Sequence, residues 1–102
     1  MTLGELENLR QRIDTLDEQL VRLLNERAAC ALEIGQIKET LGLGIYQPER
    51  EAEVLAHVRS TNGGPLDAQA LTRLFERIID EARRLERYAR RDRQEATEEN
   101  QP

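Results

Sequence analysis

The sequence predicts an all-α protein with three helices per chain, the first of them very long. Apolar residues recur every seven positions over the first forty residues, as in a coiled coil. Charged residues make up 34% of the 102-residue chain and aromatic residues only 3%, which is typical of long helices around an aliphatic core. No segment has the length and alternation of a useful strand. Proline and glycine divide the chain into three helical segments.

The first helix is expected to run from about Glu5 to Leu41, where Gly42 and Gly44 end it. At ~1.5 Å per residue it would be roughly 50 Å long, whereas a compact domain of this size has a radius of gyration of ~13 Å. The rest of the chain is too short to cover it, so we infer a homodimer. The core-facing heptad positions, here called the seam, are Leu6, Leu9, Ile13, Leu16, Leu20, Leu23, Arg27, Cys30, Ile34, Ile37 and Leu41.

Turn residues set the bounds of the other two helices. Pro48 is a favoured first-turn residue and begins a helix that continues to about Ser60. After an Asn-Gly-Gly-Pro turn, Asp67 is a good N-cap for the third helix. From residue 91 the chain is almost entirely polar. We therefore expect one helical domain over residues 1–90 and a disordered tail over 91–102.

Charge and composition exclude several classes of function. The net charge of −5 argues against a general nucleic-acid binder, which needs a basic surface. No segment resembles a signal peptide or a membrane span, so we expect a cytoplasmic protein. The single cysteine, Cys30, lies in the seam and is expected to be a small buried apolar residue.

Arg27 occupies a seam position at which the heptad pattern predicts Leu or Ile. An unpaired cation there costs several kcal/mol, so Arg27 sets the register, reaches out to water, or holds an anion. Lys38 follows eleven residues later, only about 20° away around the helix and roughly 16 Å along it. These two cations could bracket a small dianion. Arg50, in the first turn of the second helix, lies where an anion is also favoured.

Other charged residues have simple explanations when each is taken alone. Lys38, Arg50 and Glu51 are then surface charges. Glu86 lies at the edge of the apolar stripe of the third helix, and a nearby arginine cluster is expected to be a solvated face. His, Cys and carboxylates show no metal-ligand spacing, and a single His leaves no base for a nucleophile. We expect no metal and no cofactor. The arginines of the cluster are Arg83, Arg84, Arg87, Arg90 and Arg91.

Together, residues from about 5 to 88 resemble the all-helical chorismate mutases, in particular bacterial domains that stand alone or are fused to the first enzyme of the shikimate pathway. The residues taken together are specific for this family, whereas none of them is specific when taken alone. The resemblance rests on Leu9-Arg10, Ile13, Leu16-Asp17, Leu20, Leu23-Leu24, Glu26-Arg27, Ile34-Gly35, Lys38, Pro48-Glu49-Arg50-Glu51 and Leu74-Phe75.

The resemblance implies the Claisen rearrangement of chorismate to prephenate, on the route to phenylalanine and tyrosine. It implies an intertwined dimer in which each active site is completed by Arg10 of the partner subunit. Arg27 and Arg50 would surround the substrate carboxylates. Lys38 would donate to the ether oxygen, and Glu51 would hold the ring hydroxyl.

Three positions depart from the family pattern. Gln47 stands where Asp is common, and its amide oxygen could still accept a hydrogen bond. Ala82 replaces a frequent hydroxyl residue and removes a minor carboxylate contact. Glu86 stands where many bacterial members have Gln. An ionised Glu86 would repel the developing oxyanion, so it should work only when protonated.

Three alternatives stay open. A lyase of the same fold that eliminates pyruvate from isochorismate would share the same cations. A mutase-like regulatory domain would bind prephenate or associate with the first shikimate-pathway enzyme. A purely structural helical dimer would bind no ligand.

Overall fold

Three α-helices make up the fold of residues 1–99, which are the residues that the computed structural model describes. They are α1 (Leu3–Thr40), α2 (Pro48–Ser60) and α3 (Ala68–Glu99). The described residues contain no strand, so the predicted all-α class with three helices is confirmed. The chain divides into two compact units, Met1–Cys30 and Ala31–Pro102.

The start of α1 is two residues earlier than the sequence predicted, because a capping box closes its first turn. The Glu5 amide donates to Thr2 Oγ1 at 3.1 Å, and the Thr2 amide donates to Glu5 Oε2 at 2.8 Å. This reciprocal pair satisfies amide donors that have no partner within the helix. The Thr-x-x-Glu pattern that signals such a box is present in the sequence.

The end of α1 is a Schellman motif that fixes the start of the following loop. Gly42 has a φ of 74°, which only glycine adopts without strain. The Gly42 amide donates to the Glu39 carbonyl at 3.1 Å, and the Leu43 amide donates to the Lys38 carbonyl at 2.7 Å. The Lys38 and Glu39 carbonyls near the end of α1 are therefore satisfied, and the chain turns away at Gly42, four residues after Lys38.

In the unit Met1–Cys30, the apolar seam is exposed in the single chain. Leu9, Leu16 and Leu20 keep 56%, 49% and 55% of their surface accessible. Cys30 is exposed as well, so its predicted burial is wrong for the chain on its own. A seam position is buried only when another helix covers it.

In the unit Ala31–Pro102, α2 and α3 pack against each other. Arg59 of α2 donates to Thr72 near the start of α3, whereas Glu51 near the start of α2 pairs with Arg83 further along α3. The two helices therefore run antiparallel. Asp67 caps α3 as predicted, since its Oδ1 accepts from the Ala70 amide at 2.7 Å.

The helix α3 continues well past residue 90, so the prediction of a disordered tail from residue 91 is wrong for residues 91–99. These residues are helical. Arg93 lies in this extension, and its Nη2 and Nε donate to Glu39 Oε2 at 2.6 and 2.9 Å. This contact with the end of α1 stabilises a helix that its polar composition alone would not. Residues 100–102 of the predicted tail lie outside the described part. None of the described helices is long and apolar enough to cross a membrane.

Candidate functional site

A buried ion pair between Lys38 of α1 and Glu86 of α3 forms the centre of the candidate site. Lys38 Nζ lies 3.4 Å from Glu86 Oε2 and donates to the Ile45 carbonyl at 3.0 Å. The two side chains keep only 17% and 6% of their surface accessible. Among the residues that the structure describes, Glu86 is the one buried charged residue. Burying a charge is costly unless it is paired, and here each group has a partner.

Gly35 makes room for this carboxyl side chain. A Cβ atom at Gly35 would lie 3.2 Å from Glu86 Cγ, which is closer than ordinary van der Waals contact. Gly35 is itself buried within α1. Its presence in a helix, where glycine is unfavourable by about 1 kcal/mol relative to Ala, is explained by this close approach.

Glu51 of α2 is held by an arginine of α3 that the sequence assigned to a solvated face. Arg83 Nε lies 3.3 Å from Glu51 Oε2, and both side chains are largely covered, at 28% and 22% exposure. The Arg83 guanidinium also lies over the Tyr46 ring, 5.2 Å from its centroid, and pairs with Asp80. Ion pairing and stacking together restrict where the Glu51 carboxylate can point.

The first turn of α2 presents two more predicted site residues. Gln47 is half-buried, and its Nε2 donates to the Gly44 carbonyl at 2.9 Å. Arg50 is exposed and pairs with Glu53 at 3.2 Å. Such an exposed pair contributes little to stability, so Arg50 is free to exchange Glu53 for another anion. Ala82 on α3 is half-buried.

Two predicted cations lie in the unit Met1–Cys30. Arg10 is exposed and forms a weak ion pair with Glu7 at 3.9 Å. Arg27 is half-buried. Within the unit Ala31–Pro102, the structure thus brings Lys38 and Glu86 into direct contact, whereas Glu51 pairs with an arginine that was not predicted to belong to the site.

The predicted solvated arginine face is wrong for two of its five members. Arg83 and Arg90 are half-buried, whereas the other three are exposed. A signal for this was present in the sequence, because both positions continue the helical spacing of the apolar stripe that passes through Ile79 and Glu86. The three exposed members are Arg84, Arg87 and Arg91.

The arrangement can stabilise negative charge that develops beside Lys38. Its ammonium is preorganised by a backbone carbonyl and a carboxyl group in a site with little access to water, where a charged donor is most effective. Among residues 1–99, no group of three or more His, Cys, Asp or Glu side chains is placed to hold a metal ion.

Comparison with known proteins identifies one family. The family model described as chorismate mutase type II matches residues 9–87. The bifunctional chorismate mutase/prephenate dehydratase of Pseudomonas aeruginosa is 47% identical over 87 residues, covering 80% of this chain and 24% of that protein. The chain spans about a quarter of the length of the first curated relatives it matches.

Solved structures show the same fold. The chorismate mutase of Thermus thermophilus matches with a TM-score of 0.80 at 35% identity, covering 81% of this chain and 94% of that chain. The chorismate mutase of Helicobacter pylori, solved in complex with prephenate, matches with a TM-score of 0.80 at 34% identity, covering 86% and 96% of the two chains.

Proposed function

Because this chain belongs to the type II chorismate mutase family, we propose that it is an isomerase that rearranges chorismate to prephenate. The observation that carries the proposal is the Lys38–Glu86 pair. The Lys38 side chain is 17% exposed, and its ammonium group is held by the Ile45 carbonyl and a buried carboxyl group. A fixed, poorly hydrated donor suits a reaction in which negative charge grows on one ether oxygen.

The first task of the site is to fold the substrate into a compact chair. In the proposed complex, Arg27 and Arg50 bind the two substrate carboxylates, together with Arg10 of the partner subunit. Arg50 releases Glu53 to do so, and the exposed pair costs little to break. Holding the reacting carbons together in this way lowers the barrier through positioning rather than through covalent chemistry.

The second task is to stabilise the breaking carbon–oxygen bond. We propose that Lys38 donates one hydrogen bond to the ether oxygen and that protonated Glu86 donates another. In the free chain Lys38 Nζ is 3.4 Å from Glu86 Oε2, so both groups already converge on one place. In the free chain Glu86 is paired with Lys38, but an ionised Glu86 would oppose the developing oxyanion, so the proposed complex requires Glu86 in its protonated form.

The third task is to hold the ring hydroxyl. We propose that Glu51 accepts a hydrogen bond from it, using the carboxylate oxygen that faces away from Arg83. The amide oxygen of Gln47 is a further acceptor nearby in the sequence, at the N-cap of α2. Ala82 offers no polar contact, so its part is limited to lining the site.

A second copy of the chain is part of the proposal. The exposed seam of α1 in the single chain, with Leu16 and Leu20 about half accessible, is the surface that a homodimer would bury. Covering a leucine fully contributes about 1.5–3 kcal/mol, and the seam offers several of them. Arg10 would then reach the partner subunit's site.

The direct test is to add chorismate to the purified chain and follow the loss of its ultraviolet absorbance, with identification of the product. We expect prephenate. Isochorismate is offered in a separate assay. Release of pyruvate from it, with no turnover of chorismate, would instead identify the lyase of this fold. A rate that rises only when the first shikimate-pathway enzyme is added would identify a regulated partner of that enzyme. No turnover and no thermal stabilisation by chorismate would contradict the proposal.

A further inference from the structure

Arg90 of α3 reaches across to the end of α1 and the loop that follows it. Its Nη1 donates to the Leu43 carbonyl at 3.2 Å, and its Nη2 donates to the Gly35 carbonyl at 3.4 Å. Its Nε lies 3.9 Å from Glu39 Oε2, and the side chain is only 18% exposed. One guanidinium thus contacts a helix carbonyl and a loop carbonyl at the same time, which its planar fork of donors permits.

The loop that Arg90 contacts also holds Lys38. The Leu43 amide donates to the Lys38 carbonyl at 2.7 Å, and the Ile45 carbonyl accepts from Lys38 Nζ at 3.0 Å. Leu43 and Gly44 are exposed and Ile45 is half-buried, so side-chain burial fixes only the later part of this segment. The position of Leu43 and Gly44 depends on hydrogen bonds, and Arg90 supplies one from another helix.

We propose that Arg90 is a positioning residue for Lys38. By binding the Leu43 carbonyl, Arg90 fixes the loop so that the Ile45 carbonyl accepts the hydrogen bond that orients the Lys38 ammonium. Without the guanidinium, the Leu43 carbonyl loses its contact with α3 and the Ile45 carbonyl moves. Lys38 Nζ is then directed by Glu86 alone. The effect on Lys38 follows from the contacts, whereas the effect on catalysis rests on the proposed function.

Arg93 provides a matched control one turn further along α3. It makes the shorter bonds to Glu39, at 2.6 and 2.9 Å. Within residues 1–99, its guanidinium donates to no loop carbonyl. Arg93→Ala therefore removes an ion pair between α1 and α3 without touching the loop, whereas Arg90→Ala removes the loop contact. A general weakening of the α1–α3 contact would affect both variants.

The experiment uses the fact that Lys38 is the only lysine in the sequence. Labelling with lysine carrying ¹⁵N at Nζ gives one side-chain ammonium signal in an NMR spectrum of the whole chain. We expect Arg90→Ala to shift this signal and to speed exchange of its protons with water. Arg90→Lys adds a second ammonium signal, which is recognised because the wild-type spectrum lacks it. This variant should shift the Lys38 signal by an intermediate amount, because a lysine at position 90 can reach one of the two carbonyls at most. Arg93→Ala should leave the signal in place.

An unchanged Lys38 signal in Arg90→Ala, or equal changes in Arg90→Ala and Arg93→Ala, would overturn the proposal. Circular dichroism checks folding, and if Arg90→Ala does not fold, the same comparison is made between Arg90→Lys and Arg93→Ala. With chorismate as substrate, we expect Arg90→Ala to lower kcat about tenfold or more with a smaller change in KM, because misplacing a catalytic group is costly. A wild-type chain that does not rearrange chorismate would refute the proposed function, while the NMR result would still decide the role of Arg90.

Discussion

The two compact units of the chain differ in how their charged side chains are paired and how far their apolar side chains are covered. In Met1–Cys30 the ion pair of Arg10 is with Glu7, one turn away on the same helix, and both side chains are more than 60% exposed. Ala31–Pro102 also has ion pairs that join different helices and are largely covered, as with Lys38 and Glu86. The first unit leaves its apolar surface uncovered, whereas the second builds a polar site from its own residues.

Because of this difference, the stability of the two units depends on different contacts. An exposed pair on one helix contributes at most about 1 kcal/mol, so the first unit must gain its stability from covering the seam. A covered pair between helices is strongly destabilising to break, because the remaining partner is left buried and unpaired. Substitutions of the seam leucines in the first unit should therefore act through association, and substitutions in the second unit through local geometry.

The largest effect is expected from Leu20→Lys in the seam. An ammonium at this position should prevent a second copy from covering the seam, so the molecular mass in sedimentation should halve and turnover of chorismate should be lost. Asn25→Lys, which adds the same charge on the opposite face of α1, should change neither. A wild-type chain that sediments as a monomer, or a dimeric and active Leu20→Lys variant, would contradict the role of the seam.

Lys38→Ala and Arg27→Ala should come next. Removing one donor to a developing oxyanion costs about a hundred- to a thousandfold in kcat, and Arg27→Ala should cause a comparable loss through the substrate carboxylates. Both variants should still fold and associate, but Lys38→Ala should unfold at a lower temperature because it leaves Glu86 buried without this partner. Arg22→Ala removes an exposed arginine from the same helix and should leave the rate unchanged. Near-normal rates in either variant would remove that residue from the proposed site.

Glu86→Gln keeps a hydrogen-bond donor beside Lys38 and removes the carboxyl group. Because Gln carries no charge that would oppose the developing oxyanion, we expect its turnover of chorismate to be at least as fast as that of the wild-type chain. Glu86→Ala removes the donor and should lower kcat about a hundredfold. Glu81→Ala, at an exposed position of α3, should leave kcat unchanged. An equal loss of rate in Glu86→Gln and Glu86→Ala would show that Glu86 does not act as a donor.

The smallest effect is expected from Gly35→Ala. Alanine favours the helix by about 1 kcal/mol, but its Cβ would lie 3.2 Å from Glu86 Cγ and push that side chain by a few tenths of an ångström. Thermal stability should be kept while kcat falls about two- to tenfold through the displaced carboxyl group. Gly4→Ala places an alanine in the same helix, in the first unit, without crowding Glu86. Equal activities of the two variants would show that the close approach at Gly35 has no effect on turnover.

Much of the fold was predictable because its signals are local. Pro48 at a helix start, Asp67 at an N-cap and the glycines after α1 act through neighbouring backbone groups, and the structure has them in these roles. The capping box of Thr2 and Glu5 is equally local. The disordered tail was predicted wrongly because α3 past residue 90 is stabilised by a contact with Glu39, which is distant in sequence.

Less of the candidate site was predictable from residues alone. Lys38, Glu51 and Glu86 were identified as candidates, and the resemblance to a family gave each a proposed role. The arginines that hold Glu51 and the loop after α1 were not identified, because Arg83 and Arg90 lie in an arginine-rich segment whose composition is typical of a solvated face. Whether an arginine on such a helix is exposed or covered depends on which helix lies beside it.

By itself, the sequence determined the three helices, the helix ends that are set by local caps and turns, and the seam, because hydrophobic periodicity and capping act over a few residues. It also determined the family, through a joint pattern of charged residues that no single position carries. Only the tertiary structure decided which charges meet: Lys38 with Glu86, Glu51 with Arg83, and Arg90 with the Leu43 carbonyl. These contacts join residues more than thirty positions apart, and their geometry depends on the packing between helices rather than on any local preference.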